Sequence, residues 1–328
     1  NNAKIPLPTS IDSHTGETAI AEMWRSHFSD VMNSVQSTQH RRVVEDRLQS
    51  ISAADTVRLS PRDIHNALAK LNKGKAAGVD GIAVEHFIYS DPVVCVLLSL
   101  LFNCMLLHGY LPSSFMYSAI IPIIKNKTGD TSSKSNYRPV AIVSACSKIL
   151  EASILHCTDH LLYSTHNQFG FKPDHSTDLC IFALKSVVNY YVDFRSPVAA
   201  CFLDASKAFD RVNHWTLFYK LLNRGLPIPV VRLLSFWYQT QQICIKWGSV
   251  LSNCFSVSNG VRQGSLLSPK LFTLYMDDLS HQLQSCSSGC FINDVCTNHF
   301  FYADDICLLA PSASAMQGLL DVCLLYGT

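Results

Sequence analysis

Two adjacent carboxylates near the end of the chain, Asp304 and Asp305, stand between two short apolar runs. Residues 301–303 precede the acids and residues 306–309 follow them. Both runs have high strand propensity, and a polar interruption between two such runs is typical of a β-hairpin. The sequence therefore predicts a hairpin with an acid pair at its turn. Acids at a hairpin tip are usually only solvated, so this pair alone does not indicate chemistry.

A third acid, Asp204, ends an uninterrupted apolar run upstream, residues 198–203. Such a run predicts a strand buried on both faces, where an unpaired carboxylate is costly. Pairing the hairpin with this strand would bring Asp204, Asp304 and Asp305 together. Like charges this close take up protons unless a cation holds them, and oxygen ligands favour Mg²⁺ or Mn²⁺. Two such ions form the clamp used for in-line phosphoryl transfer.

The residues around these acids resemble three motifs of reverse transcriptases. Residues 301–305 resemble the catalytic hairpin, residues 201–212 the first catalytic strand and its turn, and residues 259–269 the Gly-rich turn and helix between them. The order and spacing also match, and the likeness is greatest to non-LTR (LINE-type) retrotransposon enzymes, from about residue 60 onward. The resemblance implies an α+β fold: the fingers and palm of a right-hand polymerase, with a mixed or antiparallel palm sheet backed by helices.

This family pattern predicts three segments along the chain. Residues 1–58 would be an N-terminal extension or linker with an amphipathic helix, residues 59–196 the fingers and their connection to the palm, and residues 197–328 the palm. The thumb that follows the palm in the family is expected to lie outside this chain. The apolar run 93–107 is too short to span a bilayer and predicts a buried core helix, so no membrane association is expected.

Composition fits a packed intracellular chain. Hydrophobic residues make up 48% of the 328 residues and charged residues 16%, which excludes a disordered chain. The net charge of +1 does not by itself indicate nucleic-acid binding, although the charge of a groove depends on its local residues and not on the net charge. The 13 scattered cysteines indicate free thiols in a reducing compartment. The resemblance implies a ribonucleoprotein acting in the nucleus or cytoplasm; no feature indicates an oligomeric state.

The reaction that the resemblance implies is RNA-directed DNA synthesis. Asp204 and Asp304 would hold two Mg²⁺ (or Mn²⁺) ions, and Asp305 would assist. The partners would be an RNA template, a DNA primer and deoxynucleoside triphosphates. The primer 3′ oxygen would attack the α-phosphorus, and pyrophosphate would leave.

Two basic residues are candidates for the triphosphate. Residues 119–125 and 136–140 predict a hairpin that brings Lys125 and Arg138 near each other. An arginine fork and a lysine point charge suit a triphosphate, and the resemblance implies that role. Lys127 is an alternative to Lys125, and a solvated basic hairpin would account for both residues more simply.

Further roles rest on the resemblance alone. Phe209 would be the steric gate that excludes a ribose 2′-hydroxyl, although a core aromatic is the commoner case for such a residue. Gln263 and Gly264 would lie against the incoming nucleotide and template. The positions matched to template contacts are Lys75, Asp80, Lys172 and Arg262.

Three alternative functions are also compatible with the sequence. The chain could be an inactive or repurposed remnant that at most binds RNA, or an RNA-dependent RNA polymerase, although Ala303 stands where such enzymes usually have glycine. The third alternative is a structural zinc site, formed by Cys286, Cys290, Cys296 and His299. Asp210, a further acid near Asp204, is better described as a helix-start charge than as a metal ligand.

Overall fold

The computed structural model describes residues 7–50, 57–205 and 207–327. The α-helices are α1 (Glu17–Met32), α2 (Arg41–Gln49), α3 (Pro61–Ala69), α4 (Val84–Ile88), α5 (Val93–His108), α6 (Ser113–Met116), α7 (Ala145–Thr158), α8 (Thr177–Asp193), α9 (His214–Asn223), α10 (Ile228–Thr240), α11 (Ser268–Ser285) and α12 (Ala313–Gly327). The strands are β1 (Ser10–Ile11), β2 (His14–Thr15), β3 (Tyr117–Ile124), β4 (Tyr137–Ile142), β5 (Ala199–Asp204), β6 (Gln242–Trp247), β7 (Val250–Leu251), β8 (Phe255–Ser256), β9 (Phe291–Ile292), β10 (Val295–Cys296), β11 (His299–Tyr302) and β12 (Asp305–Ala310). Short 3₁₀ helices span Lys134–Asn136, Asp159–Leu161 and Ala208–Arg211. The predicted mixture of helices and sheets is confirmed.

The chain forms two compact units that interleave in sequence. The first unit comprises Asn1–Leu161 and Asp210–Ser268, and the second comprises Leu162–Phe209 and Pro269–Thr328. The first unit is discontinuous because β6, late in the chain, pairs in parallel with β3. The fingers and palm segments expected from the sequence describe family subdomains, and they stay a prediction.

The first unit is built on a five-stranded sheet in the order β4-β3-β6-β7, with β8 also paired to β6. Helix α1 packs across this sheet. Its Trp24 is fully buried, stacks on Phe28 and contacts the rings of Tyr137 and Trp247. The predicted amphipathic helix is therefore present, and it packs as part of the core.

Local sequence signals set several helix starts in both units. Ser60 caps α3 and forms a capping box with Asp63, with Pro61 as the first helical residue. Ser176 caps α8 through the backbone N–H of Leu179. These side chains satisfy N–H groups that a helix start leaves unpaired, so the caps fix where each helix begins.

Helix α5 does not have the buried position that the sequence predicted. It is capped at its C-terminus by Gly109, whose φ of 61° is left-handed. One face packs inside the unit through residues such as Phe102 and Leu106, which are buried. The opposite face is open, and its exposed apolar side chains are Val93, Val96, Leu97, Leu100, Leu101 and Leu107. When a helix is apolar on every face, its sequence does not show which of those faces the fold will cover.

The second unit contains an antiparallel sheet in the order β11-β12-β5. Helix α8 packs on one side of it, around a cluster that includes Phe169, Val187 and Leu309. Strand β5 is an edge strand of the described sheet, and Phe202 is 71% exposed. The prediction that this strand is buried on both faces is therefore wrong for the described residues. The central strand is β12, which is almost wholly buried.

Among the residues that the structure describes, no helix combines the length and apolar character needed to cross a bilayer.

Replacing Trp24 with alanine is expected to lower the free energy of unfolding by about 3–5 kcal/mol, because it empties the centre of the first unit's core. Urea unfolding followed by circular dichroism measures this change. Leu107→Ala is the matched control: Leu107 is 71% exposed on α5, so its loss should stay within about 0.5 kcal/mol. Equal losses for the two variants would contradict a core centred on Trp24.

Candidate active site

The three predicted carboxylates lie at one end of the second unit's sheet. Tyr302 pairs with Asp305, so Ala303 and Asp304 form the two-residue turn between β11 and β12. Asp305 is also the direct cross-strand partner of Asp204 on β5. The predicted hairpin and its pairing with the upstream strand are both present, and they bring Asp204, Asp304 and Asp305 together.

This arrangement concentrates negative charge. Residues directly opposite each other on antiparallel strands have Cβ atoms about 4.5–5.5 Å apart, and like charges there are destabilising. The pKa of Asp304 is raised, first by its partial burial and then by the charges of Asp305 and Asp204. A cation bound at this end of the sheet would therefore reduce the repulsion among the carboxylates.

The donor set fits a hard divalent cation. Asp204 and Asp305 are exposed, Asp304 is half-buried, and all three offer the carboxylate oxygens that Mg²⁺ and Mn²⁺ prefer. Across residues 7–50, 57–205 and 207–327, no three His, Cys, Asp or Glu side chains already form a metal-binding cluster.

The turn that carries Asp304 is held from behind by residues that the sequence did not identify for this role. Ala303 has a φ of 60°, in the left-handed region that favours glycine. The Gln168 side chain accepts a hydrogen bond from the Ala303 N–H at 3.0 Å and donates one to the Ala303 carbonyl at 3.3 Å. A Cβ on Gly170 would lie 2.3 Å from the Ala303 nitrogen, so only glycine fits there. Gln168 and Gly170 thus support the strained turn.

The same segment also extends the sheet. The Phe169 N–H donates to the Phe301 carbonyl, and the Phe301 N–H donates to the Asn167 carbonyl, each at 2.8 Å. This segment includes Lys172, which the resemblance assigned to the template and not to the hairpin. A contact between segments this far apart in sequence cannot be read from the local residues alone.

Lys172 is directed into the second unit. Its Nζ donates to the backbone carbonyls of Ser164 and Thr165. Burial lowers the pKa of Lys172. Because its ammonium group is already hydrogen-bonded and partly buried, this position argues against the template contact expected for Lys172.

Phe209 is half-buried among aromatic rings of its own unit. Its ring stacks on Phe272 at a centroid distance of 4.1 Å and meets Phe171 edge-on at 5.9 Å. These contacts fix the orientation of the ring while leaving part of it accessible. They agree with a packing role and are also what a rigid steric gate needs.

In the first unit, Lys125 and Arg138 share one face of the β3–β4 hairpin. Arg138 pairs with Ile123, and the Lys125 N–H donates to the Asn136 carbonyl at 2.7 Å. Because side chains alternate along a strand, Ile123, Lys125 and Arg138 point to the same side. Both basic side chains are exposed, as a phosphate-binding pair requires.

The Gly-rich turn lies against the same hairpin. The Ala141 N–H on β4 donates to the Gln263 carbonyl at 2.7 Å. Gly264 has a φ of 104°, and a Cβ on it would lie 2.9 Å from the Ala141 carbonyl oxygen. The predicted pair Gln263 and Gly264 is therefore packed onto the strand that carries Arg138.

Asp210 positions the Gln263 side chain. It lies in a 3₁₀ turn and is 3% exposed, and its Oδ1 accepts a hydrogen bond from Gln263 Nε2 at 2.8 Å. Asp210 lies in the first turn of this short helix, where a helix-start charge was expected, and its side chain is also bonded to Gln263. The partner is 53 residues away in sequence, which is why local pattern did not reveal it.

Arg262 is buried in the first unit. It is 6% exposed, and its Nη2 donates to Glu151 Oε1 at 2.7 Å, while its guanidinium lies 4.3 Å from the Trp237 ring centre. Glu151 Oε2 also accepts from the Ser265 hydroxyl and the Leu266 N–H, each at 2.8 Å. Glu151 thus anchors both sides of the Gln263–Gly264 turn. This burial argues against the template contact expected for Arg262.

The two other expected template residues, Lys75 and Asp80, are exposed on the first unit. Asp80 Oδ1 accepts a hydrogen bond from the Ile82 N–H at 3.1 Å, which stabilises its own turn. Both side chains are accessible, and their contact with the template stays a prediction.

His299, the histidine of the alternative zinc site, is a core residue of the second unit. It is 0% exposed, and its ring nitrogens contact Ser280 Oγ at 2.7 Å and Asn298 Oδ1 at 2.6 Å. Burial lowers the pKa of His299 to about 4. Both ring nitrogens are therefore engaged in hydrogen bonds.

Comparison with known proteins adds a second line of observation. A family model described as "Reverse transcriptase (RNA-dependent DNA polymerase)" matches residues 124–326, which is more than half of the chain. The chain belongs to the reverse transcriptase family.

Individual relatives come from mobile elements. The RNA-directed DNA polymerase from mobile element jockey of Drosophila funebris is 28% identical over 306 residues, covering 91% of this chain and 31% of the relative. The probable RNA-directed DNA polymerase from transposon X-element of Drosophila melanogaster is 24% identical over 291 residues, covering 85% and 32%. The Pol polyprotein of the type-2 retrotransposable element R2DM, from the same species, is 28% identical over 254 residues, covering 77% and 23%. The predicted likeness to non-LTR retrotransposon reverse transcriptases is confirmed, and this reverse transcriptase chain spans less than a third of the length of these relatives.

Gly170→Ala should push the Ala303–Asp304 turn out of place, because the new Cβ would overlap backbone and not a flexible side chain. We expect the free energy of unfolding to fall by about 1–3 kcal/mol, measured by urea denaturation. The control is Gly327→Ala, where a Cβ would meet nothing within 4 Å. A Gly170→Ala variant as stable as this control would contradict the proposed support of the turn.

Asp304→Asn should stabilise the second unit when divalent metal is removed with a chelator. The substitution removes one of three mutually repelling charges, so the free energy of unfolding should rise by up to about 1 kcal/mol. Thermal unfolding in chelator measures the change. Asp294→Asn, at an exposed acid of the same unit, should have no such effect, and a destabilised Asp304→Asn would refute the proposed repulsion among the acids.

Proposed function

We propose that this chain is the catalytic core of an RNA-directed DNA polymerase of the non-LTR retrotransposon type. The observation that carries the proposal is the pairing of Asp204 with Asp305 beside the Asp304 turn, in a chain of the reverse transcriptase family. In this proposal β5, β11 and β12 form the palm sheet of a right-hand polymerase, and the β3–β4 hairpin belongs to its fingers.

The carboxylates would serve the nucleotidyl transfer itself. Two Mg²⁺ (or Mn²⁺) ions held by Asp204 and Asp304, with Asp305 assisting, would stabilise the attacking primer 3′ oxygen and the leaving pyrophosphate. Gln168 and Gly170 would keep Asp304 in place by fixing the Ala303 backbone. Partial burial, and after it the charges of Asp305 and Asp204, raise the pKa of Asp304, and bound cations would offset that repulsion.

The first unit would supply the contacts to the incoming deoxynucleoside triphosphate. Lys125 and Arg138, exposed on one face of their hairpin, would neutralise its phosphates. Gln263, held by Asp210, and Gly264, packed on β4, would lie against the nucleotide. Lys75 and Asp80 remain the proposed template contacts. An intracellular ribonucleoprotein with RNA template and DNA primer is the setting that this function requires.

Primer extension on an RNA template with Mg²⁺ and deoxynucleotides tests the proposal. The assay uses this chain and a version extended beyond residue 328, each also as Asp304→Asn and as the control Asp294→Asn. Extension that disappears with Asp304→Asn and persists with Asp294→Asn is the expected result. Folded proteins that fail to extend in either length would support instead a remnant that at most binds RNA.

Phe209→Ala tests the proposed steric gate. Removing the ring should increase incorporation of ribonucleotides relative to deoxynucleotides by at least about tenfold, because the 2′-hydroxyl then has room. Single-nucleotide extension with each substrate measures the ratio. Phe182→Ala, at a residue 68% exposed on α8, should leave it unchanged. A lower stability with an unchanged ratio would show that Phe209 is only a packing residue.

A further inference from the structure

Two cysteines of the first unit face each other across neighbouring strands. Strands β6 and β8 pair antiparallel, with Gln242 opposite Ser256 and Ile243 opposite Phe255. Continuing this register by one residue places Cys244 opposite Cys254. All 13 cysteines of the chain are free thiols in this structure.

The backbone pattern shows which kind of pair this is. The Ser252 N–H donates to the Ile245 carbonyl at 2.9 Å, so the backbone groups of Ile245 point toward the β7–β8 segment. Successive residues of a strand direct these groups to opposite sides, so those of Cys244 point the other way, toward β3. The register shifts by one residue between Ile245–Ser252 and Ile243–Phe255, so a β-bulge lies at Asn253, and the Cys244 and Cys254 thiols interact with each other beside it. Two thiols that meet across neighbouring strands are the starting point that a cross-strand disulfide requires.

The environments of the two thiols differ in a way that suits stepwise oxidation. Cys254 is exposed, whereas Cys244 is buried and its Sγ lies 3.7 Å from the Ser118 carbonyl oxygen. Burial, followed by interaction with the Cys254 thiol, raises the pKa of Cys244 to about 11. An oxidant in solution therefore reaches Cys254 first, and Cys244 is the nearby thiol that can resolve the product.

We propose that Cys244 and Cys254 form a reversible cross-strand disulfide, with a low-molecular-weight disulfide as the oxidant. The Cys254 thiolate attacks one sulfur of the small disulfide, and the first small thiolate leaves. Cys244 then loses its proton, its sulfur attacks Cys254 Sγ, and the second small thiolate leaves. The two protein thiols lose two electrons and two protons in total, and the small disulfide is reduced to two thiols.

The proposed link has a defined structural effect. Cys254 lies just before β8, which leads into the turn at Asn259 that carries Gln263 and Gly264. The disulfide would tie the entry to this turn to β6. A reversible link of this kind is the form in which disulfides occur in reducing compartments.

Peptide mapping tests the site independently of any polymerase activity. The reduced, folded chain is incubated with oxidised glutathione, remaining thiols are alkylated, and the chain is digested with trypsin. Cleavage after Arg232, Lys246 and Arg262 leaves residues 233–246, with Cys244 as the only cysteine, and residues 247–262, with Cys254 as the only cysteine. The expected product is these two peptides joined by a disulfide, at a yield at least about tenfold above that from the urea-unfolded chain.

Matched variants separate this pair from general thiol oxidation. Cys254→Ser should abolish the joined peptides and leave Cys244 alkylated. Cys104→Ser, at another exposed cysteine of the same unit, should leave their yield unchanged. The proposal is overturned if folded wild-type chain carries glutathione on Cys254 without the link, or if folded and unfolded chains give the joined peptides equally.

Discussion

The repulsion between carboxylates at one end of a three-stranded sheet is the constraint on which the rest of the second unit depends. Asp204 and Asp305 are direct cross-strand partners, and Asp304 occupies the adjoining turn. The pKa of Asp304 is raised first by its partial burial and then by the charges of Asp305 and Asp204, so both burial and repulsion oppose its charged form. A sheet whose only task was to be stable would not place three acids there. Their position is explained if the fold holds the acids for a positively charged ligand.

Much of the surrounding structure serves to hold that turn. Ala303 adopts a backbone conformation that costs free energy for any residue except glycine. The Gln168 side chain binds both polar groups of the Ala303 backbone, and Gly170 leaves room for the turn to approach. Strain at the turn is thus offset by contacts from a segment more than a hundred residues away.

The first unit shows the same principle at the Gly-rich turn. Glu151 is 1% exposed and receives hydrogen bonds from Arg262, Ser265 and Leu266, while Asp210 receives one from Gln263. Removing one partner from such a buried network costs far more than its net contribution, because the other groups stay buried and unpaired. Both acids therefore hold the Gly-rich turn in place through hydrogen bonds.

The sequence predicted what is local or carried by a motif. The acidic hairpin and its pairing with β5 were both accessible in this way. It did not reveal contacts with partners far away in sequence, such as those of Arg262 with Glu151 and of Gln263 with Asp210. It also failed for burial: α5 and β5 are apolar enough to be core elements, yet each leaves a face open in the described structure. Hydrophobic pattern shows what an element is able to bury, whereas topology decides what actually covers it.

The most direct test of the central claim is Mn²⁺ binding measured by electron paramagnetic resonance, since it reports on the carboxylates without requiring turnover. The wild-type chain is titrated beside Asp204→Asn and the exposed-acid control Asp294→Asn. We expect Mn²⁺ binding that is lost in Asp204→Asn and unchanged in Asp294→Asn. Equal binding by all three proteins would show that the acid end of the sheet does not hold metal, and it would contradict the role assigned to these carboxylates.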